Sequence, residues 1–513
     1  MPFFLSLLVI LLAAIAFLQI SRRFSLPYPA MLAAAGVAVA GIPGAPSLAI
    51  DPELALALFV APALLDAAFD FPIANVRRFW RPLVVLAVGS VLVTALLVAW
   101  AGWMFAGLPV AAALVLGAIV APPDAVAATA VLSATPVHRN IDAVLRGESL
   151  FNDATALLLF AGALAVQTAG RLDGPISLQL TLAAPGGVLL GMVAAKLNGR
   201  IERFVRDTLS GNLLQFVNTF LLWILAQRLG LSPVLCIVAF AMTTALESGV
   251  RASARMRVQS YAVWSAVVFV LNVLAFLMMG MQARTLVVHM SPAHLQSASL
   301  FAGLVVLLVI AARFAVILGY NLVTTWRSRR AGSPRPASWR QAVIASWCGM
   351  RGLVTLATAF ALPADFPQRD VVVLTAFTVV IGTLVLQGLS LAPLIRLLGL
   401  DRGTAEADEM ARLRDELTRA GLEALTARQD PAAEPLLREL QTKLEARNDP
   451  AVAAALDQRR NLALAAVVAQ RQALDRINTE SRLSADEYNL LLEELDWREL
   501  TLLPAAKRRV EEQ

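Results

Sequence analysis

The chain has 513 residues, 58% of them hydrophobic and only 16% charged, against about 25% charged in ordinary soluble domains, and its mean hydropathy is +0.69. That balance excludes a soluble globular protein and points to a polytopic membrane protein. The net charge of +6 divides unevenly: residues 401 to 513 carry 17 Lys and Arg against 23 Asp and Glu, so the basic excess belongs to the first 400 residues.

In a membrane domain such an excess marks cytoplasmic loops rather than a nucleic-acid surface. Cys236 and Cys348 both lie in apolar segments, which leaves no disulfide framework and no thiolate metal site. His138, His289 and His294 are not spaced as metal ligands, which argues against a histidine-based metal enzyme.

Roughly 20 apolar residues make one crossing, and thirteen such segments follow one another. They are centred near Leu11, Val37, Phe59, Val93, Ala118, Phe160, Leu190, Phe220, Phe240, Leu271, Leu308, Leu353 and Leu384. The first, "MPFFLSLLVILLAAIAFLQISRRF", has no positive n-region and is followed by Arg22 and Arg23, so it reads as a retained span rather than a leader. Loops after odd-numbered spans are rich in arginine (Arg77, Arg78 and Arg81, for example, or Arg327, Arg329 and Arg330) and loops after even-numbered spans are poor in it. The alternation predicts an outside N-terminus and a cytoplasmic C-terminus.

The third span contains Asp66 in "LLDAAF", with Asp70 near the span end, where it reads as solvated or anchoring the loop. The fifth contains "GAIVAPPDAVAATAV", where Pro122 and Pro123 break the helix beside Asp124. The sixth contains "GESLFNDATALLLF", in which Ser149 and Asp153 share one helix face while Glu148 and Asn152 share another. The eleventh holds a lone mid-span cation, Arg313, for which the sequence offers a structural pair or a cavity-facing role. The twelfth, "SWCGMRGLVTLATAF", is interrupted by Gly349 and Gly352 around Arg351.

Charges at membrane depth are costly and mark function by default. Thirteen spans divide into six, a linker and six, so the two halves run in opposite directions and the interrupted spans fall at matching positions. That is the sequence mark of an inverted-repeat transporter. Broken helices leave carbonyls and half-helix ends at depth, tolerated where they line a cavity or are buried in protein. An acid such as Asp124 offsets the positive end of a half-helix and a cation such as Arg351 the negative end, and the oxygens suit a hard cation. Glu148 and Arg351 are expected to form a structural ion pair between spans 6 and 12.

The expected fold class is therefore an all-α polytopic membrane protein. It has about thirteen transmembrane helices in residues 1–400, arranged as two inverted six-helix repeats with crossed discontinuous helices. Residues 401–513 read as a cytoplasmic helical tail, with Asp449 and Pro450 opening one helix and a capping box of Ser484 and Glu487 opening another. The tail serves assembly and stability or takes a regulatory partner or ligand.

The three quoted stretches around Asp124, Asp153 and Arg351 together resemble the cation/proton antiporter superfamily. Within it the match is to bacterial sodium/proton exchangers of the monovalent cation:proton antiporter-1 branch. The resemblance implies a sodium/proton antiporter of the cell membrane serving pH homeostasis, working as a homodimer in the lipid bilayer. It implies Asp153 as the exchange site, Ser149 and Asp124 as positions that help hold the monovalent cation, and Asn152 as the residue orienting the crossing. Glu148 and Arg351 match the family's bracing pair. The resemblance also implies Asp66 as a cation- and proton-binding acid, standing where relatives usually carry Glu, and Ala125 follows Asp124 where many have Pro.

Relatives with an Asn-Asp pair resemble electroneutral one-for-one exchangers, in which proton and cation compete for one carboxylate. No cofactor is implied beyond the transported ions: the proton and sodium, lithium or potassium. A potassium-selective or mixed potassium and sodium exchanger is the nearest alternative. A passive channel, or a hydrolase using Asp124 and Asp153 as an acid pair, is disfavoured by the matched interruptions.

Overall fold

A computed structural model describes residues 2–24, 27–41, 52–124, 139–170, 174–205, 208–248, 254–331, 338–363, 365–400, 403–428, 430–479 and 484–504. The chain divides into two compact units, residues 1–401 and 402–513. Among the described residues all regular structure is helical.

In the first unit a helix occupies every segment centre read from the sequence. The helices are α1 (Pro2–Phe24), α2 (Tyr28–Val39), α3 (Pro52–Phe69), α4 (Ile73–Val84), α5 (Val91–Ala106), α6 (Val110–Val120) and α7 (Arg139–Ala169). They continue as α8 (Gly174–Val205), α9 (Leu209–Arg228), α10 (Pro233–Ser248), α11 (Ala254–His289), α12 (Pro292–Ala331), α13 (Trp339–Trp347), α14 (Leu353–Phe360) and α15 (Arg369–Leu397). Among the described residues six continuous helical stretches are long and apolar enough to cross a membrane: 73–106, 140–168, 176–202, 256–284, 292–330 and 369–397. Shorter apolar helices at 28–39, 54–69, 110–120 and 233–246 pack among them.

Local chemistry explains the irregularities. Pro82 has no amide to donate and its ring crowds the preceding turn. Phe79 accordingly leaves helical geometry at φ −110°, ψ 18°, and a π turn over Val85–Ser90 joins α4 to α5. Gly107 takes a left-handed φ of 64°, which lets the Leu108 N–H return to the Gly102 carbonyl at 3.1 Å and turns the chain into α6. Helices α2 and α11 cross where Gly36 faces Gly280; a Cβ on Gly36 would lie 2.0 Å from the Leu277 carbonyl oxygen. Small residues at such a point let two backbones approach without side chains between them.

The sites of the two expected interruptions are both broken. Helix α6 ends at Val120, and Ala121 to Asp124 are irregular. Residues 348–352 separate α13 from α14. A Ser338 and Gln341 capping box opens α13.

The second unit contains α16 (Gly403–Thr426), α17 (Glu434–Glu445), α18 (Pro450–Thr479) and α19 (Ala485–Leu502). Helix α18 begins at Pro450, with Asp449 accepting the Ala451 N–H at 2.8 Å, and the expected Ser484 and Glu487 capping box opens α19. Arg471 on α18 reaches Asp496 and Glu499 on α19, each at 2.6 Å, and the Tyr488 hydroxyl donates to Asp475 at 2.8 Å, fixing the two helices as a hairpin.

Candidate functional site

The site forms where the break after α6 meets the break between α13 and α14. The Asp124 amide donates to the Met350 carbonyl at 2.7 Å, joining the two interruptions through their backbones. Each break then supplies the charge that the other one's helix end lacks. The Asp124 carboxylate accepts the Leu353 N–H at 3.2 Å, at the first residue of α14. Arg351 donates from Nε to the Val120 carbonyl at 3.1 Å and from a terminal nitrogen to the Ala121 carbonyl at 3.2 Å, at the last turn of α6. Helix ends carry roughly half a charge of opposite sign, so an acid at the start of α14 and a guanidinium at the end of α6 each meet their complement.

Arg351 is 1% exposed and fully engaged. Its remaining terminal nitrogen donates to the Gly349 carbonyl, and its backbone N–H donates to Thr383 Oγ1 on α15 at 3.0 Å. Thr383 was not singled out from the sequence, because a threonine in an apolar helix ordinarily returns its hydroxyl to its own backbone. Here it does both, donating to the Val379 carbonyl at 2.8 Å while accepting from Arg351.

Gly349 and Gly352 are where the approach is closest. A Cβ on Gly352 would lie 1.7 Å from Asp124 Oδ2 and 2.9 Å from Asp124 Cβ, and one on Gly349 would lie 2.1 Å from Arg313 Cδ. Gly352→Ala is therefore expected to push Asp124 off the start of α14. Overpacking of this kind costs about 1 to 3 kcal/mol, so the variant should melt lower than wild type and exchange ions more slowly. Thermal unfolding equal to wild type would count against the contact.

Helix α7 lies alongside. Asn152 is fully buried and donates from Nδ2 to the Pro123 carbonyl at 2.8 Å, tying α7 to a carbonyl freed by the break. Asp153, next in the chain, is 5% exposed and lies within electrostatic reach of Asp124. Ser149 stands one turn before Asp153 on the same helix face, half-buried. Pro122 and Pro123 are buried at the break; Ala125 and the rest of the quoted fifth-span stretch lie outside the described residues.

Glu148 requires a correction. Its expected partner was Arg351, but its carboxylate is held by Arg313 on α12, through two parallel bonds of 2.7 and 3.0 Å, with both side chains 1% exposed. Arg313 also donates to the Ala345 carbonyl of α13 at 3.2 and 3.3 Å. The reason is geometric: the Arg351 fork is saturated by the carbonyls of the breaks, while the Arg313 fork matches a carboxylate in two-point contact. Glu148 acts on Arg351 only through space. The lone mid-span cation of the sequence thus finds its partner, and the brace joins α7, α12 and α13.

Asp66 is half-buried on α3, which packs against α7 and α14. Asp70, one turn on, acts on it through space, and among the described residues no hydrogen bond or ion pair joins it to Asp124 or Asp153. Nor do the described residues contain a group of three or more His, Cys, Asp or Glu side chains placed to hold a metal. A cation at the crossing would depend on carbonyl and hydroxyl oxygens together with the acids.

Residues 7–397 match the family model for the transmembrane region of the sodium/hydrogen exchanger. The chain belongs to the sodium/hydrogen exchanger family. The exchanger is 30% identical over 457 residues to an uncharacterized Na(+)/H(+) exchanger of Mycobacterium bovis, a match covering 86% of this chain and 84% of that protein. It is 29% identical to the sodium, potassium, lithium and rubidium/H(+) antiporter of Bacillus pumilus, over 77% of this chain and 61% of the relative. Its fold is similar to that of the sodium proton antiporter MjNhaP1 from Methanocaldococcus jannaschii, with a TM-score of 0.59 at 18% identity, covering 78% of this chain and 100% of that one. The exchanger is thus a multi-pass membrane protein of a family of cation/proton antiporters, which are transporters rather than enzymes.

Proposed function

We propose that this exchanger moves sodium against protons, one for one and without net charge, at Asp153. Proton and cation compete for the same carboxylate, Ser149 and Asp124 complete the oxygen set around the cation, and Asn152 holds the break in place. Asp66 is proposed as a further cation- and proton-binding acid. The observation that carries the reading is the reciprocal closure of two broken helices, by Asp124 on α14 and by Arg351 on α6, beside a buried aspartate whose neighbour Asn152 is anchored to the break. Such a crossing can be carried bodily by its helix bundle, so the site opens to one face and then the other.

The same proposal includes thirteen crossings in two inverted halves, an N-terminus outside, a cytoplasmic tail and a homodimer in the cell membrane. The tail is left to take a regulatory partner. A mixed or potassium-preferring exchanger is supported by the name of the Bacillus pumilus relative, which joins sodium to potassium, lithium and rubidium.

Stoichiometry is tested in sealed proteoliposomes containing a pH dye. A pulse of external sodium should drive proton movement whose rate is unchanged when a membrane potential of either sign is imposed. A rate that follows the potential would contradict one-for-one exchange. Substituting potassium for sodium in the same pulse separates the two cation readings.

A further inference from the structure

Away from the crossing, three aromatic rings each carry an arginine at one end of the helix bundle. Trp80 is 56% exposed with the Arg81 guanidinium 5.4 Å from its ring centroid; for Trp326 and Arg330 the values are 52% and 3.7 Å, and for Trp339 and Arg340 they are 62% and 5.7 Å. The pairs come from three helices that meet, because Leu86, Ile317 and Ala342 form one buried cluster. Arg81 acts on the Tyr320 hydroxyl through space, and Arg313 bonds the Ala345 carbonyl, so the stretch from 73 to 90 and helix α13 both run opposite to α12. Trp80, Trp326 and Trp339 therefore all lie beyond that cluster toward the same end. At 1.5 Å per residue their backbones rise about 9, 13 and 5 Å from it.

Among the described residues of the first unit, the charge there meets no compensating acid. No acid occurs from residue 71 to 90 or from 314 to 345. Asp142 on α7, whose neighbour Val144 packs on the same cluster, is already paired with Arg146 at 2.9 Å. Among the described residues no carboxylate pairs with Arg81, Arg330 or Arg340. A guanidinium stacked on a ring keeps its N–H edge for an oxyanion, and exposed tryptophans at the ends of membrane helices seat at headgroup depth.

We infer that this end of the bundle binds anionic phospholipid. Headgroup phosphates are met along its height by the Arg340, Arg81 and Arg330 guanidinium groups, and the glycerol and first acyl carbons lie against the three tryptophans. Arg340 spends one terminal nitrogen on the Leu398 carbonyl at 3.2 Å and keeps the rest of its edge. A zwitterionic lipid offers the same phosphate but brings a quaternary ammonium toward three cations that no carboxylate neutralises among the described residues, so the site selects net negative charge. Because α12 carries both Arg330 and Arg313, a lipid held here is bound to a helix that frames the crossing.

The test places the full-length protein in phosphatidylcholine vesicles containing phosphatidylglycerol as a fixed minor component. Either the phosphatidylglycerol or an equal fraction of the phosphatidylcholine is brominated, and tryptophan fluorescence is read. Quenching several-fold stronger from brominated phosphatidylglycerol is expected. The preference should fall in high salt, disappear in an Arg81→Gln, Arg330→Gln double variant, and disappear with the reporters in a Trp80→Phe, Trp326→Phe, Trp339→Phe triple variant. Equal quenching by both lipids in wild type, or a preference that survives the triple tryptophan variant, would overturn the inference. The wild-type comparison decides it even if a variant fails to fold.

Discussion

Asp153→Asn is expected to reduce cation-driven proton movement in proteoliposomes to the level of empty vesicles while the protein remains folded and inserted. The amide has nearly the volume of the carboxylate, so packing around α7 is kept. It carries no charge to neutralise a cation and no proton to release, so both halves of the exchange are lost together. The Asn152 bond to Pro123 and the Asp124 bond to Leu353 do not pass through this side chain, which is why the fold should survive. Exchange retained in the variant would move the ion site elsewhere, with Asp124 the first place to look.

The second large effect concerns folding. Arg313→Ala leaves the Glu148 carboxylate, 1% exposed, without the two bonds that hold it. Breaking a buried pair by removing one partner costs about 3 to 5 kcal/mol, a large share of a stability of about 5 to 15 kcal/mol. The variant should yield far less folded protein and a lower melting temperature by fluorescence-detected size exclusion. The double variant Arg313→Met, Glu148→Gln should recover most of the loss, since no isolated charge remains. Arg351→Ala should also destabilise the protein, because the Val120, Ala121 and Gly349 carbonyls lose their donor, but Glu148→Gln should not rescue it. Rescue of Arg351→Ala and not of Arg313→Ala would restore the pairing first expected from the sequence.

That contrast also marks what the sequence carried. The two interruptions were legible because they are local: adjacent prolines, and glycines three apart around a cation, act within one turn of their own positions. The match of Asp124 to a helix start and of Arg351 to a helix end was legible too, because the sign of a helix end is fixed whatever the tertiary fold. Which cation takes Glu148 was not. Arg313 and Arg351 are both single charges in apolar spans, far along the chain from Glu148, and only the packing of α7, α12 and α13 distinguishes them. Thr383 was invisible for a related reason, since its second bond comes from another helix. Asp66 was legible as a charge inside the third span and through the resemblance, but its place relative to the crossing was not; Asp70, just past the end of its own helix, acts on it through space. The lipid-facing arginines were readable as loop charge, but their grouping around three exposed tryptophans depends on antiparallel packing that no single segment encodes.

Whether proton and cation share one carboxylate is tested most directly by the dependence of exchange on sodium concentration at a series of pH values, with the membrane potential clamped. Shared occupancy predicts that the sodium concentration giving half-maximal exchange rises about tenfold for each pH unit below the titration of the site, while saturating sodium restores the same extent of exchange. A half-saturating concentration independent of pH would mean that the two ions bind at separate groups, and would contradict a shared carboxylate.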